Sequence, residues 1–326
     1  MSIPAISIAM CTFNGARFLD AQLESLAAQS RLPDELVVCD DGSSDNSREI
    51  IASFARRAAF DIRLLTNDKT LGTTKNFEKA IQQCRGPVIV LADQDDVWYA
   101  HKLDRIERAF TQSPDVVAVF SDADVIDEHS RPLGQRLWRT LAFTLAEQGQ
   151  FARGRGLEVL IRHPVVTGAT MAFRKKAFEL VAPLSPNENH DRWIAFLLAA
   201  CGRLEIIPEP LIQYRQHGNQ QIGPGPLTAH DKLMVATART GNFYAQEIKR
   251  FRELQNRLQE RQRDFAGAER IRDNIEGKIS HLKRRAQLRR VKLARIPTVL
   301  RDALNGNYWR YSGGWRSIAK DLLIRE

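Results

Sequence analysis

Residues 88–98 read VIVLADQDDVW, and this stretch limits what the chain can fold into more than any other. Five apolar residues, 88–92, follow Gly86-Pro87 and give way at once to acids, which is the pattern of a short buried strand. The acids are Asp93, Asp95 and Asp96, spaced by Gln94. Like charges crowded at the mouth of a core repel one another unless a cation or a partner sits among them. Oxygen ligands at i and i+2 suit Mg2+ or Mn2+, with phosphates completing the shell. The same letters also fit a plain solvated acidic loop after a strand, so the surrounding chain has to decide.

Three strand–helix units precede this stretch. Residues 3–10 form a strand pattern that ends in Cys11-Thr12-Phe13-Asn14-Gly15, and Phe18, Leu19, Leu23, Leu26 and Ala27 then share one helical face. Residues 35–39 form a second strand ending in the acids and turn formers of 40–47, where Ser44 or Asp45 can cap a helix through Ile50, Ile51, Phe54 and Ala55. A third strand, 62–65, leads into a helix over Phe77, Ala80 and Ile81. Repeated strand–helix units predict a mostly parallel sheet flanked by helices, an α/β fold. In such sheets ligands bind beyond the carboxyl ends of the strands, where these polar loops lie. Neither GxGxxG nor GxxxxGK[ST] occurs, so a dinucleotide fold and a P-loop are unsupported.

After Trp98 the pattern predicts a helix over Leu103, Ile106, Ala109 and Phe110, a strand over 116–121 and an acidic turn. Residues 135–163 read as an insertion flanking the site, and 165–173 as a strand whose Gly168 marks a bulge or a close backbone approach. His190-Asp191-Arg192-Trp193 opens a helix with an apolar body over 194–200, where an acid in the first turn is also ordinary capping. A strand pair follows, 203–207 and 211–214, and then YRQHGNQ at 214–220. Gly223-Pro224-Gly225-Pro226 is the clearest linker signal. It predicts a catalytic domain over 1–222, a linker over 223–227 and a helical basic region over 228–326.

The four cysteines are scattered without CxxC spacing and read as reduced core residues of a cytosolic protein. No run of 18 apolar residues occurs, and the start, MSIPAISIAM, lacks a basic leader and reads directly as a strand. Charge is lopsided: residues 249–326 carry 21 Lys and Arg against 9 Asp and Glu, whereas the whole chain nets only +9.

Six motifs occur in a fixed order: TFNG (12–15), CDDGSSDNS (39–47), LADQDDVW (91–98), TGATMAF (167–173), HDRW (190–193) and YRQHGNQ (214–220). Together they resemble the inverting, nucleotide-sugar-dependent glycosyltransferases of family 2, which have the GT-A fold. DQDDVW, HD followed by Trp, and YRQHGN look most like the bacterial rhamnosyltransferase-like branch, which extends surface polysaccharides such as O-antigens. The resemblance implies that Thr12, Phe13 and Asn14 hold the base and ribose. It implies that Asp40 accepts from the N3–H of uracil or thymine, with Asp41 shaping the turn. Lys75 or Asn76 falls at a nucleotide contact, Asp93 and Gln94 in the donor loop, and Arg215 and Gln216 near the diphosphate. Asp95 and His217 match the ligands of a divalent cation, Mg2+ or Mn2+, and Asp191 matches the catalytic base. Gly168, Arg192 and Trp193 fall on the acceptor side, where HDRW departs from the more usual HD followed by two Trp residues.

The implied reaction moves a sugar, L-rhamnose from dTDP-L-rhamnose before UDP-sugars, onto a hydroxyl of a glycan carried on a polyprenyl diphosphate. From 277 to 301 the tail has nine Lys and Arg and no acid, with apolar residues interleaved, and then the aromatics of 307–317. That pattern suits peripheral attachment to an anionic membrane surface through 277–317 at the cytoplasmic face. It also fits a solvated helical pair that packs on the body or mediates oligomers. Nucleic-acid binding lacks any accompanying recognition motif. A non-catalytic nucleotide-sugar or polyanion-binding protein is the alternative from another functional class. A nucleotidyltransferase would want a Gly-rich basic loop after the first strand, where TFNGARF has only Gly15 and Arg17.

Overall fold

Strands that hide both faces are apolar along most of their length, and three here are. They are β1 (Ile6–Thr12), β2 (Glu35–Asp40) and β4 (Val88–Ala92), whose Ile8, Val38 and Val90 are completely buried. Burial of one such side chain stabilises the fold by about 1.5–3 kcal/mol. The computed structural model describes residues 5–218, 241–265, 267–288, 291 and 293–323. They fall into two compact units, Met1–Gly156 with Val165–Gln221, and Leu157–Pro164 with Ile222–Glu326.

In the first unit β3 (Asp61–Thr66), β2, β1 and β4 pair in parallel. Register sets Thr12 beside Asp40 and Met10 beside Ala92, so the loops after β1, β2 and β4 leave the same edge. The sheet continues through β8 (Met171–Arg174), β6 (Val116–Ile126), β9 (Arg203–Arg215) and the two-residue β5 (Val97–Trp98), in the order β3-β2-β1-β4-β8-β6-β9-β5. β8 runs antiparallel to both β4 and β6. Its start therefore lies at the edge where the parallel strands end.

The expected helices form as α1 (Ala16–Ala27), α2 (Ser47–Ala55), α3 (Thr73–Gln83), α4 (Lys102–Gln112) and α9 (His190–Cys201). Leu19, Leu23 and Leu26 of α1 point into the core. The start of α1 is capped by Asp45 from the next loop, which accepts from Ala16 N at 3.0 Å. Asp45 also accepts from Ser47 N at 3.0 Å ahead of α2.

Four expectations need correction. The strand at 116–121 runs on to Ile126, because Asp122 and Asp124 alternate with buried Ala123 and Val125 at the period of a strand. The strand pair at 203–207 and 211–214 is one strand, β9, whose register against β6 shifts where Asp122 meets Pro210. The strand at 165–173 is regular only from Met171, and Gly168–Thr170 form a single 3-10 turn. Residues 135–163 are not one insertion. After β7 (Pro132–Arg136), α5 (Leu137–Thr140) and α6 (Leu145–Ala152) pack Trp138, Phe143 and Phe151 with Phe120 of β6, at ring separations of 5.0 to 5.9 Å. α6 begins with a capping box between Thr144 and Glu147. Most of α7 (Gly156–Arg162) belongs to the second unit, and α8 (Lys175–Val181) to the first.

The second unit contains α10 (Gly241–Glu260), α11 (Ala268–Ala286), α12 (Ile296–Leu304), α13 (Asn307–Tyr311) and α14 (Trp315–Leu323). The basic stretch 277–301 is not one continuous interfacial helix. α11 stops at Ala286, and α12 starts afresh with Pro297 in its first turn. Several cations expected at a surface turn inward. Arg285 pairs with Asp321 through two bonds of 2.6 and 2.7 Å, and Arg295 donates to Asp321 O at 2.8 Å. Lys278 Nζ bonds Arg162 O and Tyr311 O. Asp302 accepts from His281, Arg284 and Asn307. The linker at 223–227, with Asn219 and Gln220, lies outside the described residues.

Candidate active site

Each strand end at the shared edge contributes a short polar loop. Asp40, fully buried, accepts from Thr12 Oγ1 at 3.0 Å, Ser43 N at 3.0 Å and Ser43 Oγ at 2.5 Å. Asp41 accepts from Leu71 N at 2.7 Å, Gly72 N at 2.9 Å and Asn67 Nδ2 at 2.7 Å. It thereby ties the loop before α3 to the end of β2. Asn76, also buried, bonds Cys39 O and Asn67, while exposed-side Lys75 pairs with Glu78 at 2.6 Å. Asp40, Asp41 and Asn76 therefore hold together the loops at this edge.

Phe13 is the aromatic at the mouth, 39% exposed. Its N–H donates to Gln94 Oε1 at 2.8 Å and its carbonyl accepts from Gln94 Nε2 at 3.2 Å, clasping the first loop to the acidic one. A Cβ at residue 15 would lie 2.2 Å from Gln94 Oε1, so Gly15 is what admits this clasp. Asn14, at φ 49°, accepts from Ser44 N at 2.8 Å.

The acidic loop faces the end of β9. Asp95 Oδ2 lies 2.8 Å from His217 Nε2, and Asp96 Oδ1 accepts from Arg215 N at 3.0 Å. Arg215, 1% exposed, does not reach outward. Its guanidinium bonds Asp95 O, Asp127 O and Ser130, bracing the loop from below. Asp96 Oδ2 has no hydrogen-bond partner among the described residues. Burial, then the neighbouring carboxylates Asp95 and Asp191, push the Asp93 carboxyl up to about 7. Burial, then Asp95 and Asp93, also push Asp96 well above the usual range.

Asp191 is the second residue of α9, held from both sides: Gly168 N donates to Oδ2 at 3.2 Å and Arg192 N to Oδ1 at 2.6 Å. A Cβ at residue 168 would lie 2.6 Å from His190 Nε2, so the expected close approach is present. His190 is buried, stacks on Phe77 at 4.0 Å, and its ring nitrogens find no hydrogen-bond partner among the described residues. Arg192 faces Glu188 at 3.8 Å. Trp193 is only 4% exposed and donates from Nε1 to Val181 O, so it belongs to the core and does not line an acceptor surface.

Among the described residues no group of three or more His, Cys, Asp or Glu is arranged to hold an ion. Asp95 and His217 nevertheless converge as one oxygen and one nitrogen donor. Two protein ligands suit a cation that keeps water and substrate phosphate in its remaining positions. The donor set fits such an ion.

The sequence matches the profile described as glycosyl transferase family 2 over residues 7–181. The chain belongs to glycosyl transferase family 2. It is 31% identical over 222 residues to an uncharacterized glycosyltransferase of Nostoc sp. PCC 7120, a match covering 65% of each chain. It is 30% identical over 125 residues to the Escherichia coli UDP-Glc:alpha-D-GlcNAc-diphosphoundecaprenol beta-1,3-glucosyltransferase WfgD, covering 38% of this chain and 48% of that one. It is 26% identical over 225 residues to the Shigella flexneri dTDP-rhamnosyl transferase RfbG, covering 66% and 73%. The chain thus spans less than two thirds of the length of the first two of these relatives. The fold matches Staphylococcus aureus TarS residues 1–349 in complex with UDP-GlcNAc, with TM-score 0.58, 15% identity and coverage of 85% of this chain and 72% of that one. It also matches the Pyrobaculum calidifontis mannosyltransferase PcManGT in complex with GDP-Man and Mn2+, with TM-score 0.54, 16% identity and coverage of 93% and 76%. The α/β sheet with flanking helices is therefore the GT-A fold of these glycosyltransferase structures.

This family 2 member also carries, close to the acidic loop, a residue that its motifs do not mark. Lys102 is completely buried, donates to Ala169 O at 2.8 Å and lies 3.5 Å from the centre of the Trp98 ring. Burial pulls its ammonium down to about 7, against the opposing pull of Asp96 and Asp93. Its signal was present in the sequence: Lys102, Ile106 and Ala109 share the apolar stripe of α4. Asn67, which joins Asp41 to Asn76, follows β3 with nothing to set it apart.

Proposed function

We propose that this chain is an inverting, divalent-cation-dependent glycosyltransferase that moves a sugar from a nucleotide-sugar to an acceptor hydroxyl. The observation that carries the reading is Asp191, fixed by two backbone N–H groups and electrostatically coupled to Asp93. A neutral hydroxyl is a poor nucleophile, and a carboxylate within hydrogen-bond reach takes its proton as it attacks C1. What Asp191 supplies is position, held at the start of α9 by two backbone donors. With one base and no covalent nucleophile, a single displacement inverts C1. Asp95 and His217 would hold Mg2+ or Mn2+, which when bound neutralises charge developing on the leaving diphosphate. Thr12, Phe13 and Asn14 border the base and ribose, with Gln94 holding Phe13 in place.

The donor we favour is dTDP-L-rhamnose, followed by UDP-sugars. The name of the Shigella relative supports the first, and the names of WfgD and the TarS complex support the second. The acceptor we favour is a surface-polysaccharide glycan on a polyprenyl diphosphate, in line with WfgD's named acceptor. Such an enzyme works as a peripheral protein at the cytoplasmic face of the membrane, and no described helix is long and apolar enough to cross one.

The test is nucleotide release from dTDP-, UDP- and GDP-sugars with and without Mn2+, using the native chain and Asp191→Asn. One donor class should turn over only with the ion. Asp191→Asn should bind donor normally but transfer about 10²–10⁴-fold more slowly. Normal turnover by that variant removes Asp191 as the base. No release and no metal-dependent nucleotide binding would instead favour a non-catalytic binding protein.

A further inference from the structure

Eight of the thirteen exposed large hydrophobic side chains among the described residues lie within residues 291–323. That concentration is unlike the scatter of single apolar residues on an ordinary surface. On α12, Ile296, Leu300 and Leu304 recur every four residues, so successive members lie about 40° apart on one helical face. They are 37%, 53% and 86% exposed, while Val299 and Asp302, which lie off that face, are buried. Further along, Trp309 and Trp315 pack edge to face at 5.2 Å with both rings exposed.

The charges of this segment are sorted. Its two carboxylates, Asp302 and Asp321, are 3% and 5% exposed and are consumed by His281, Arg284, Arg285 and Tyr308. Arg301, Arg310 and Arg316 are exposed. The outer surface of 291–323 therefore combines apolar side chains, paired tryptophans and cations, and no described carboxylate.

We infer that this surface docks the protein onto an anionic lipid bilayer, with Ile296, Leu300, Leu304, Trp309 and Trp315 entering the interface and Arg301 and Arg310 meeting headgroups. Tryptophan favours the headgroup level, and cations gain from a negative surface potential. A second copy of the chain is a poorer occupant, because two such surfaces would oppose like charges. The cations of α11 take a structural part, since Lys278 and Arg285 are buried in bonds. The inference rests on the transferase reading only for the lipid-linked acceptor that gives docking its use.

The test uses the full chain with vesicles of phosphatidylcholine alone or mixed with phosphatidylglycerol. Trp98, Trp138 and Trp193 are each 4% exposed, so quenching by brominated lipid reports on Trp309 and Trp315. Binding and quenching should require phosphatidylglycerol and weaken with salt. Leu300→Asp with Leu304→Asp should reduce vesicle binding at least about tenfold. Arg301→Gln with Arg310→Gln should reduce it about fivefold for each cation lost. Both variants should keep the native melting temperature and native donor hydrolysis. Absence of vesicle binding by the native chain overturns the inference, as does equal binding to neutral vesicles. Concentration-dependent dimerisation abolished by the leucine variants, without vesicle binding, assigns the surface to self-association and also overturns it. Loss of donor hydrolysis in the native chain would count against the transferase reading and leave the docking result standing.

Discussion

Lys102 joins the two halves of the site through one ammonium group. Its Nζ lies against Trp98, two residues past the acids, and donates to Ala169 O, beside the Gly168 N–H that holds Asp191. Lys102→Met removes that donor and leaves a buried carbonyl without a partner, a loss of about 1–3 kcal/mol. It also removes a cation that attracts Asp93 and Asp96. The loss should be larger at about pH 8 than at about pH 5, because the buried ammonium, lowered to about 7, is costly to keep charged at the lower pH. Thermal melts of the metal-free variant and parent at the two pH values measure this, and equal losses would mean that Lys102 acts only as a hydrogen-bond donor. At this scale the placement of the acids after β4 and of Asp191 at the start of α9 was legible, because a carboxylate at a strand or helix end stands out against apolar neighbours. The finer roles were not. Arg215, with a charge suited to a diphosphate, is committed to carbonyls beneath the acidic loop. Trp193 is placed by the apolar body of α9, which one-dimensional motif matching does not weigh.

Elements were legible where local period and tertiary demand agreed. The apolar stripes of α1, α3 and α4 face the core as their spacing requires. Misreadings arose where partners outvote local letters. Asp122 looks like a turn residue, yet in β6 it accepts from Ala123 N and from Trp138 N, at 2.8 and 2.9 Å, which satisfies it within the strand. Pro208 and Pro210 look like a break, yet β9 absorbs them in a register shift. The turn at Gly168–Thr170 shows how such an element bears on chemistry. Its first N–H steadies Asp191, and it has room only because residue 168 lacks a side chain. Gly168→Ala would bring a methyl group to 2.6 Å from the buried His190 ring, so turn or helix must give way. Transfer should slow about 10–100-fold through misplacement of the base, with donor KM unchanged. Steady-state kinetics on a soluble acceptor separate the two constants. A change confined to donor KM would dissociate this turn from the base.

At the scale of the whole molecule, several ionisable groups of the first unit share one buried place, and stability must follow their titration. The Asp93 carboxyl, raised to about 7 by burial and then by Asp95 and Asp191, holds its proton in the folded chain after the unfolded chain has released it. Its contribution to stability is fully present below about pH 4 and is lost as pH rises through about 7. Lys102, lowered to about 7 by burial, acts in the next window. Its contribution is present above the ordinary lysine value of 10.5 and is lost as pH falls through about 7. These two groups together place a shallow stability minimum of the metal-free protein near neutrality. A divalent cation requires an ionised Asp95 and a neutral His217, so it competes with protons and binds better at higher pH. At a concentration of about 100 times its dissociation constant it should stabilise the fold by about 2.7 kcal/mol. Melting temperatures with chelator and with Mn2+ at about pH 5.5 and about pH 8 check this. The ion should raise the melting temperature more at the higher pH, and Asp95→Asn should abolish the increment at both. An increment independent of pH, or one that survives Asp95→Asn, would place the ion away from the Asp95–His217 pair.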